Sequence, residues 1–234
     1  NAIILTVTAL LLRLAGIFFR VWLADGIGAE GMGLYQVIFS VYMLAATFAT
    51  SGISTAVTRM VTERLAAQDI GGAKRTLRFS ALLPLVVAAV TMALILIFSG
   101  EISSYLIQDT RAEASLKILC FSLPFMGVCA CYRGYFLARR NTISPSLAQI
   151  GEQIVRMSVI VWLVTKYAKY GLEVASAAVL FGDTIAEASG TVIIWLFYRL
   201  DIRKAPKTKT YGVSKRQTLK ELLRISTPIS LGRY

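Results

Sequence analysis

Long apolar runs separated by short polar loops make up most of the chain. Each run holds about 20 residues, the length that an α-helix needs to cross roughly 30 Å of hydrocarbon at about 1.5 Å per residue. The pattern therefore predicts an all-α integral membrane protein in which six helices form one transmembrane bundle. The predicted spans are 2–24, 34–57, 78–99, 115–137, 146–166 and 176–198.

The basic residues of the loops predict the orientation of the bundle. One alternating set of loops holds seventeen lysines and arginines, and the other set holds four. Because positive charge stays on the cytoplasmic side, the richer set is cytoplasmic, and both ends of the bundle are predicted to face the cytoplasm. The richer set is 59–78, 133–140 and 199–224, and the poorer set is 25–33, 99–117 and 166–175.

The pattern divides the chain into three parts. Residues 1–198 form the six-helix lobe, and the polar, basic segment 199–221 is a cytoplasmic linker that we expect to rest on anionic lipid headgroups. An apolar run that begins at Leu222 predicts the truncated start of a seventh span within 222–234. We therefore expect the chain to be a fragment of a longer membrane protein, in which the basic segment joins two halves.

Composition supports a membrane protein. Charged residues make up only 16% of the chain and hydrophobic residues 56%, whereas a soluble domain carries about a quarter charged residues. The net charge of +12 does not indicate nucleic-acid binding, because the basic residues lie in the loops of one membrane side and no aromatic-rich basic stripe accompanies them.

The sequence offers little for catalysis or metal binding. It lacks histidine, the commonest general base and metal ligand. Its three cysteines lie in one apolar run without the spacing of a zinc site. We therefore expect no enzymatic activity, no metal site and no cofactor. The cysteines are Cys120, Cys129 and Cys131.

Two arginines lie inside the first predicted span. Arg13 and Arg20 are two helical turns apart and therefore share one face. One interpretation is structural: Arg20 extends to the outer interface, and Arg13 pairs with a carboxylate inside the bundle. The other is functional: both form a cationic wall of a water-filled cavity, where arginine suits phosphate oxygens.

Spans five and six carry further polar stripes. Gln149, Glu152, Gln153 and Arg156 lie on one face of span five, as a cavity lining or as a structural contact between helices. Glu152 and Arg156 are four residues apart and predict an ion pair within the helix. On span six, Asp183 and Glu187 also share a face. They either balance Arg13 or Arg156, or take up a proton or Na⁺ during transport.

Several motifs resemble a known family. The stretches Gly28-Ala-Glu-Gly-Met-Gly-Leu-Tyr-Gln36, Ser51-Gly-Ile-Ser-Thr-Ala-Val-Thr-Arg59, Tyr132-Arg-Gly-Tyr-Phe136 and Gln149-Ile-Gly-Glu-Gln-Ile-Val-Arg156 are similar to the stage V sporulation protein B family. That family lies in the polysaccharide-transport branch of the multidrug/oligosaccharidyl-lipid/polysaccharide flippase superfamily. In one departure, Leu137-Ala138 replaces an expected Gln-Gly pair.

The resemblance implies a larger transporter with two six-helix lobes that rock around a central cavity in alternating access. This chain would be its N-terminal lobe, with the second lobe as its partner. Related flippases line this cavity with arginines from the first helix, a pattern that Arg13 and Arg20 match in position. The expected substrate is an undecaprenyl-pyrophosphate-linked oligosaccharide or a lipid II-like peptidoglycan precursor. It would move across the bacterial plasma membrane for polysaccharide, cell-wall or spore-cortex synthesis.

Three alternatives remain open at this point. A cation-coupled multidrug exporter of the same superfamily would rely on Glu152, Asp183 and Glu187 rather than on arginine. A membrane transferase would need a catalytic carboxylate pair or a metal motif at the membrane surface, and the outer loops offer only scattered acidic residues. A non-transporting scaffold for cell-envelope assembly is the third alternative.

Overall fold

The computed structural model describes residues 2–50, 52–204 and 215–231, and its elements in these ranges are helical. The all-α prediction is therefore confirmed for the described part of the chain. The α-helices are α1 (Ala2–Thr50), α2 (Ile53–Ala66), α3 (Ile70–Ser80), α4 (Leu82–Ile97), α5 (Ser99–Glu101), α6 (Ala112–Cys120), α7 (Leu123–Ala138), α8 (Ile143–Tyr167), α9 (Leu172–Lys204) and α10 (Lys215–Leu231). A π-helical turn covers Ile102–Ile107, and a 3₁₀ turn covers Ala168–Tyr170.

Helix α1 is divided at Gly28, which has a non-helical backbone with φ 74° and ψ 171°. Glycine adopts a positive φ without steric cost, so it suits this break. We call residues 2–27 the first segment of α1 and residues 29–50 its second segment. The predicted loop at 25–33 is wrong in length, because helix continues on both sides of this one glycine.

Five helical stretches are long and apolar enough to cross a membrane. They are Thr6–Thr47, Ile70–Ile97, Ala112–Ala138, Ile143–Tyr167 and Leu172–Arg203. A straight helix of 42 residues, the length of the first stretch, would measure about 63 Å. That is roughly twice the hydrocarbon thickness, and Gly28 interrupts it. The count of six spans and the cytoplasmic location of both ends stay predictions.

Helices α8 and α9 form the most extensive helix pair. Gly182 of α9 permits their close approach, because a Cβ at this position would lie 2.5 Å from Cγ1 of the buried Ile160 of α8. Gly190 has a similar role further along α9, where a Cβ would lie 2.7 Å from Oε2 of Glu152. Small residues at these two positions bring the charged faces of the two helices together.

The first segment of α1 is much less buried than the α8–α9 pair. Leu10, Ile17 and Phe18 are 56%, 59% and 74% exposed. Leu23, near the end of the segment, is buried in a cluster with Ile160 of α8. The segment is therefore anchored near Gly28, and a broad apolar face remains open along its N-terminal part.

Helix α10 packs against α2 and α3. Its Leu222 is fully buried in the same cluster as Phe136 of α7 and Ile194 of α9. Of the predicted linker 199–221, residues 199–204 complete α9 and 215–221 begin α10, while 205–214 lie outside the described residues. The division into lobe, linker and seventh span stays a prediction.

Candidate functional site

A cavity of about 570 Å³ lies inside the bundle. Its wall combines both segments of α1 with residues of α2, α6, α7, α8 and α9. Seven of the eight predicted site residues contribute to this wall. They are Arg20, Gln149, Glu152, Gln153, Arg156, Asp183 and Glu187.

Arg156 of α8 is the centre of the charged wall. Its Nη2 donates hydrogen bonds to Glu152 Oε1 at 2.8 Å and to Glu187 Oε1 at 3.2 Å. Its Nε lies 3.0 Å from Asp183 Oδ1, and its Nη1 donates to Gln153 Oε1 at 3.0 Å. One guanidinium thus joins three carboxylates from two helices.

The sequence spacing explains half of this network. Glu152 and Arg156 form the predicted ion pair within α8. Asp183 and Glu187 share a face of α9, and the close packing at Gly182 and Gly190 turns that face toward α8. The two acids pair with Arg156, one of the two partners that the sequence left open.

Arg133 is a cavity residue that the sequence analysis missed. It was counted among the charges of the cytoplasmic loop 133–140, but it lies within α7, and its side chain lines the cavity. Its Nη2 donates to Glu152 Oε2 at 3.4 Å, a longer contact than those of Arg156. Its position inside the predicted span 115–137 was the signal that could have identified it.

An aromatic stripe on the second segment of α1 forms another part of the wall. Tyr35, Phe39 and Tyr42 follow helical spacing, line the cavity and contact one another ring to ring. The Tyr35 hydroxyl donates to Asp183 Oδ2 at 3.3 Å, and the Tyr42 hydroxyl is hydrogen-bonded to Ser122. The residue types gave no sign of this polar role, because tyrosine is common in membrane helices.

Arg20 and Arg13 differ in their surroundings, although they lie on one helix face. Arg20 lines the cavity, while Arg13 is exposed and does not belong to the cavity wall that the described residues form. Leu12, Gly16 and Phe19 supply the adjacent wall. The cavity thus meets α1 along a stripe to one side of Arg13. That Arg13 and Arg20 both face the substrate cavity of the whole protein stays a prediction.

The charges of the wall are balanced. Arg20, Arg133 and Arg156 supply three positive charges, and Glu152, Asp183 and Glu187 supply three negative charges. Within the described ranges, neither Arg13 nor Arg20 takes part in an ion pair or a hydrogen bond, whereas the other two arginines of the wall do. Arg20 is therefore the cavity arginine that can accept an anionic group without breaking an existing contact.

In the described part of the chain, no group of three His, Cys, Asp or Glu side chains is arranged to hold a metal ion. In the acidic cluster, the Arg156 guanidinium occupies the position between the carboxylates. Cys129 lines the cavity, and the other two cysteines are buried.

The sequence is similar to known membrane proteins along its whole length. The profile of a family described as polysaccharide biosynthesis protein matches residues 1–234. Stage V sporulation protein B of Bacillus subtilis (strain 168) is 26% identical over 238 residues, which cover 100% of this chain and 46% of that protein. Lipid II flippase MurJ of the same organism is 21% identical over 207 residues, which cover 83% of this chain and 38% of that protein. The chain thus spans less than half the length of these curated relatives.

Solved structures show the same fold. A MATE structure in the straight conformation has a TM-score of 0.78 at 18% identity and covers 99% of this chain and 51% of that chain. Lipid II flippase MurJ in an inward closed conformation has a TM-score of 0.66 at 13% identity, with 96% and 50% covered. A transporter of the MOP superfamily from Pyrococcus furiosus, described as having a binding pocket of reverse polarity, has a TM-score of 0.71 at 18% identity, with 97% and 49% covered. The lobe therefore has the fold of one half of these larger chains.

Proposed function

The chain belongs to the polysaccharide biosynthesis protein family, and from this we propose that it is one lobe of a flippase for an anionic, lipid-linked sugar. It is a multi-pass protein of the bacterial plasma membrane. The proposed substrate is an undecaprenyl-pyrophosphate-linked oligosaccharide or a lipid II-like precursor, moved from the inner to the outer leaflet. The similarity to a relative named lipid II flippase supports this class of substrate.

The observation that carries the proposal is the guanidinium of Arg20 at the wall of the cavity, which has no ion pair or hydrogen bond among the described residues. A pyrophosphate cannot cross hydrocarbon without compensation, because burying an unpaired charge is very costly. A guanidinium offers two parallel N–H donors that match phosphate oxygens. Arg20 supplies such donors where the other arginines of the wall are already engaged by carboxylates.

The ion network supports the proposal in a second way. Arg133 and Arg156 are held by Glu152, and a phosphate group that approached them would compete with this carboxylate. The network therefore fixes the geometry of the wall and disfavours anions that cannot reach Arg20. Gln149 and Gln153, which also line the cavity, offer amide groups to sugar hydroxyls.

The second lobe would complete the site. The open apolar face of the first segment of α1 provides a surface against which such a lobe can move, with the polyprenyl tail remaining in the bilayer. Alternating access would then expose the cavity first to the cytoplasm and afterwards to the outer side. The pathway that uses the sugar, in polysaccharide, cell-wall or spore-cortex synthesis, depends on which substrate is transported.

A cation-coupled multidrug exporter is a second candidate, because three carboxylates line the same cavity and the fold matches MATE structures. In that case an organic cation would replace Arg156 as the partner of the acids. The cavity wall carries as many acidic as basic side chains, so the exporter is an alternative. The sign of the charge on the transported molecule distinguishes the two functions.

The test uses the full-length protein in proteoliposomes. One arm follows a fluorescent undecaprenyl-pyrophosphate sugar by its accessibility to a quencher on the opposite side, and the other follows efflux of a fluorescent organic cation. We expect sugar-lipid movement in the wild type and a loss of at least about tenfold with Arg20→Gln, the size of one charge-assisted hydrogen bond. Movement of the cation alone would replace this proposal by the exporter, and movement of neither would favour the scaffold.

A further inference from the structure

Helix α10 has two faces of opposite character, neither of which belongs to the cavity. Thr218, Leu222 and Ser226 follow one another at four-residue spacing and are all buried. Because residues four apart lie on one face of a helix, this stripe is the side that packs against α2 and α3. The docked face fixes the rotation of the helix about its axis.

The opposite face of α10 is basic. Arg216, Lys220 and Arg224 also follow four-residue spacing, and all three are exposed. Residues 216 and 218 are about 200° apart on a helix, so the basic stripe points away from the docked face. Among the described residues, none of the three takes part in an ion pair. Exposed Leu223, 47% accessible, borders the stripe and adds an apolar contact.

The docking site places this stripe near the ends of the membrane-spanning helices. Leu222 is packed in the same cluster as Phe136 and Ile194, which belong to two of the apolar helices long enough to span a membrane. The excess of basic loop residues assigns this end of the bundle to the cytoplasmic side. The stripe is therefore within reach of the inner leaflet, whose surface is negatively charged.

We propose that the exposed face of α10, formed by Arg216, Lys220, Arg224 and Leu223, binds anionic phospholipid headgroups of the inner leaflet. The three cations, which form no ion pair within the described ranges, complement the phosphate groups. Leu223 enters the boundary between headgroups and acyl chains. Because the docked face packs against α2 and α3, the lipid contact and these two helices together hold α10 in place. Lipid binding thus orients the segment that follows the lobe, independently of what the cavity transports.

The experiment titrates purified full-length protein in neutral detergent with phosphatidylglycerol or with phosphatidylcholine and counts retained lipids by native mass spectrometry. The test variant is Arg216→Gln/Lys220→Gln/Arg224→Gln. We expect its apparent affinity for phosphatidylglycerol to fall about a hundredfold at low ionic strength, since each basic residue near an anionic surface contributes about fivefold. Binding of phosphatidylcholine stays unchanged, and added salt lowers wild-type binding toward the level of the variant.

Two further variants make the result specific. The first control removes the same charge from the predicted outer side and should bind phosphatidylglycerol like the wild type; it is Arg111→Gln/Lys166→Gln/Lys169→Gln. The second control keeps the charge of the stripe and should also bind like the wild type; it is Arg216→Lys/Arg224→Lys. Thermal unfolding in neutral detergent establishes that the test variant is folded. Wild-type binding by the folded test variant would overturn the proposal, as would an equal loss in the outer-side variant.

Discussion

Charged side chains have opposite surroundings in the α8–α9 pair and in the first segment of α1. In the pair, Arg156 is surrounded by Glu152, Asp183 and Glu187, and the two helices pack closely at Gly182. In the first segment of α1, Arg20 lines the same cavity without an ion pair among the described residues, on a helix whose apolar face is largely exposed.

This difference separates charges that hold the lobe together from charges left available for a ligand. A buried ion cluster is costly to disrupt, because the carboxylates that remain have no compensation. An arginine without a protein partner contributes little to folding, so its presence in a membrane helix needs another explanation. We therefore expect substitutions in the α8–α9 pair to have large effects on stability and substitutions in α1 to affect binding.

The largest effect is expected for Arg156→Met. The substitution leaves three carboxylates without their shared cation, and breaking a buried pair in this way costs about 3–5 kcal/mol. Thermal unfolding of the full-length protein in detergent should show a strongly lowered midpoint. Adding Asp183→Asn and Glu187→Gln to the variant should recover much of the loss, because Glu152 keeps Arg133 as its partner. If Arg156→Met were as stable as the wild type, the ion network would not stabilise the α8–α9 pair.

An intermediate effect is expected for Gly182→Ala in α9. The new Cβ would lie 2.5 Å from Ile160 Cγ1, and overpacking of this kind costs about 1–3 kcal/mol. Gly16→Ala in α1 is the matched control, because nothing lies within 4 Å of the added Cβ. Its stability should equal or slightly exceed that of the wild type, since alanine favours helix. If Gly16→Ala lowered the stability and Gly182→Ala left it unchanged, the assignment of the α8–α9 contact as tightly packed and of the first segment of α1 as open would be wrong.

The smallest effect is expected for Arg111→Gln on the predicted outer side, where Arg111 pairs with Asp109 at 2.8 Å and Glu30 at 2.9 Å. These groups are accessible to water, so the unfolding midpoint should change little. Hydrogen bonds from Arg111 hold the pKa of Asp109 below its ordinary value. The contribution is therefore present above the pKa of an unfolded aspartate and is lost as the pH falls through the lowered value.

Unfolding of the wild type and Arg111→Gln as a function of pH checks this sign. The small advantage of the wild type should vanish on acidification and should also decrease in high salt. An advantage that increased at acidic pH would contradict the role assigned to Asp109.

The local part of the fold and site could be predicted from the sequence. The length of apolar runs predicted the helices, and the four-residue spacing predicted the pair of Glu152 and Arg156, because both depend on the geometry of a single helix. The break at Gly28 was predicted as a longer loop. Polar residues at 25–33 suggested that loop, but one glycine suffices to interrupt the helix.

The contacts between helices could not be predicted in the same way. Pairing of Asp183 with Arg156 depends on the close packing of α8 and α9, and the alternative partner Arg13 had an equally suitable charge. Arg133 was assigned to a loop because it lies near the end of its span. Arg13 and Arg20 share a helix face, but only the packing of the whole bundle decides which of them meets the cavity.

Arg20, and not the ion network, is the proposed anion contact of this lobe. The most direct test is native mass spectrometry of the full-length protein with lipid II and undecaprenyl-pyrophosphate sugars, comparing the wild type with Arg20→Gln and Arg13→Gln. Both variants remove one exposed arginine from the same helix, so they are matched in charge and in their small effect on stability.

We expect Arg20→Gln to lower retention of the sugar lipid at least about tenfold, while Arg13→Gln retains it like the wild type. Retention by Arg20→Gln equal to that of the wild type, or an equal loss in both variants, would contradict the claim that the cavity of this lobe binds the headgroup through Arg20.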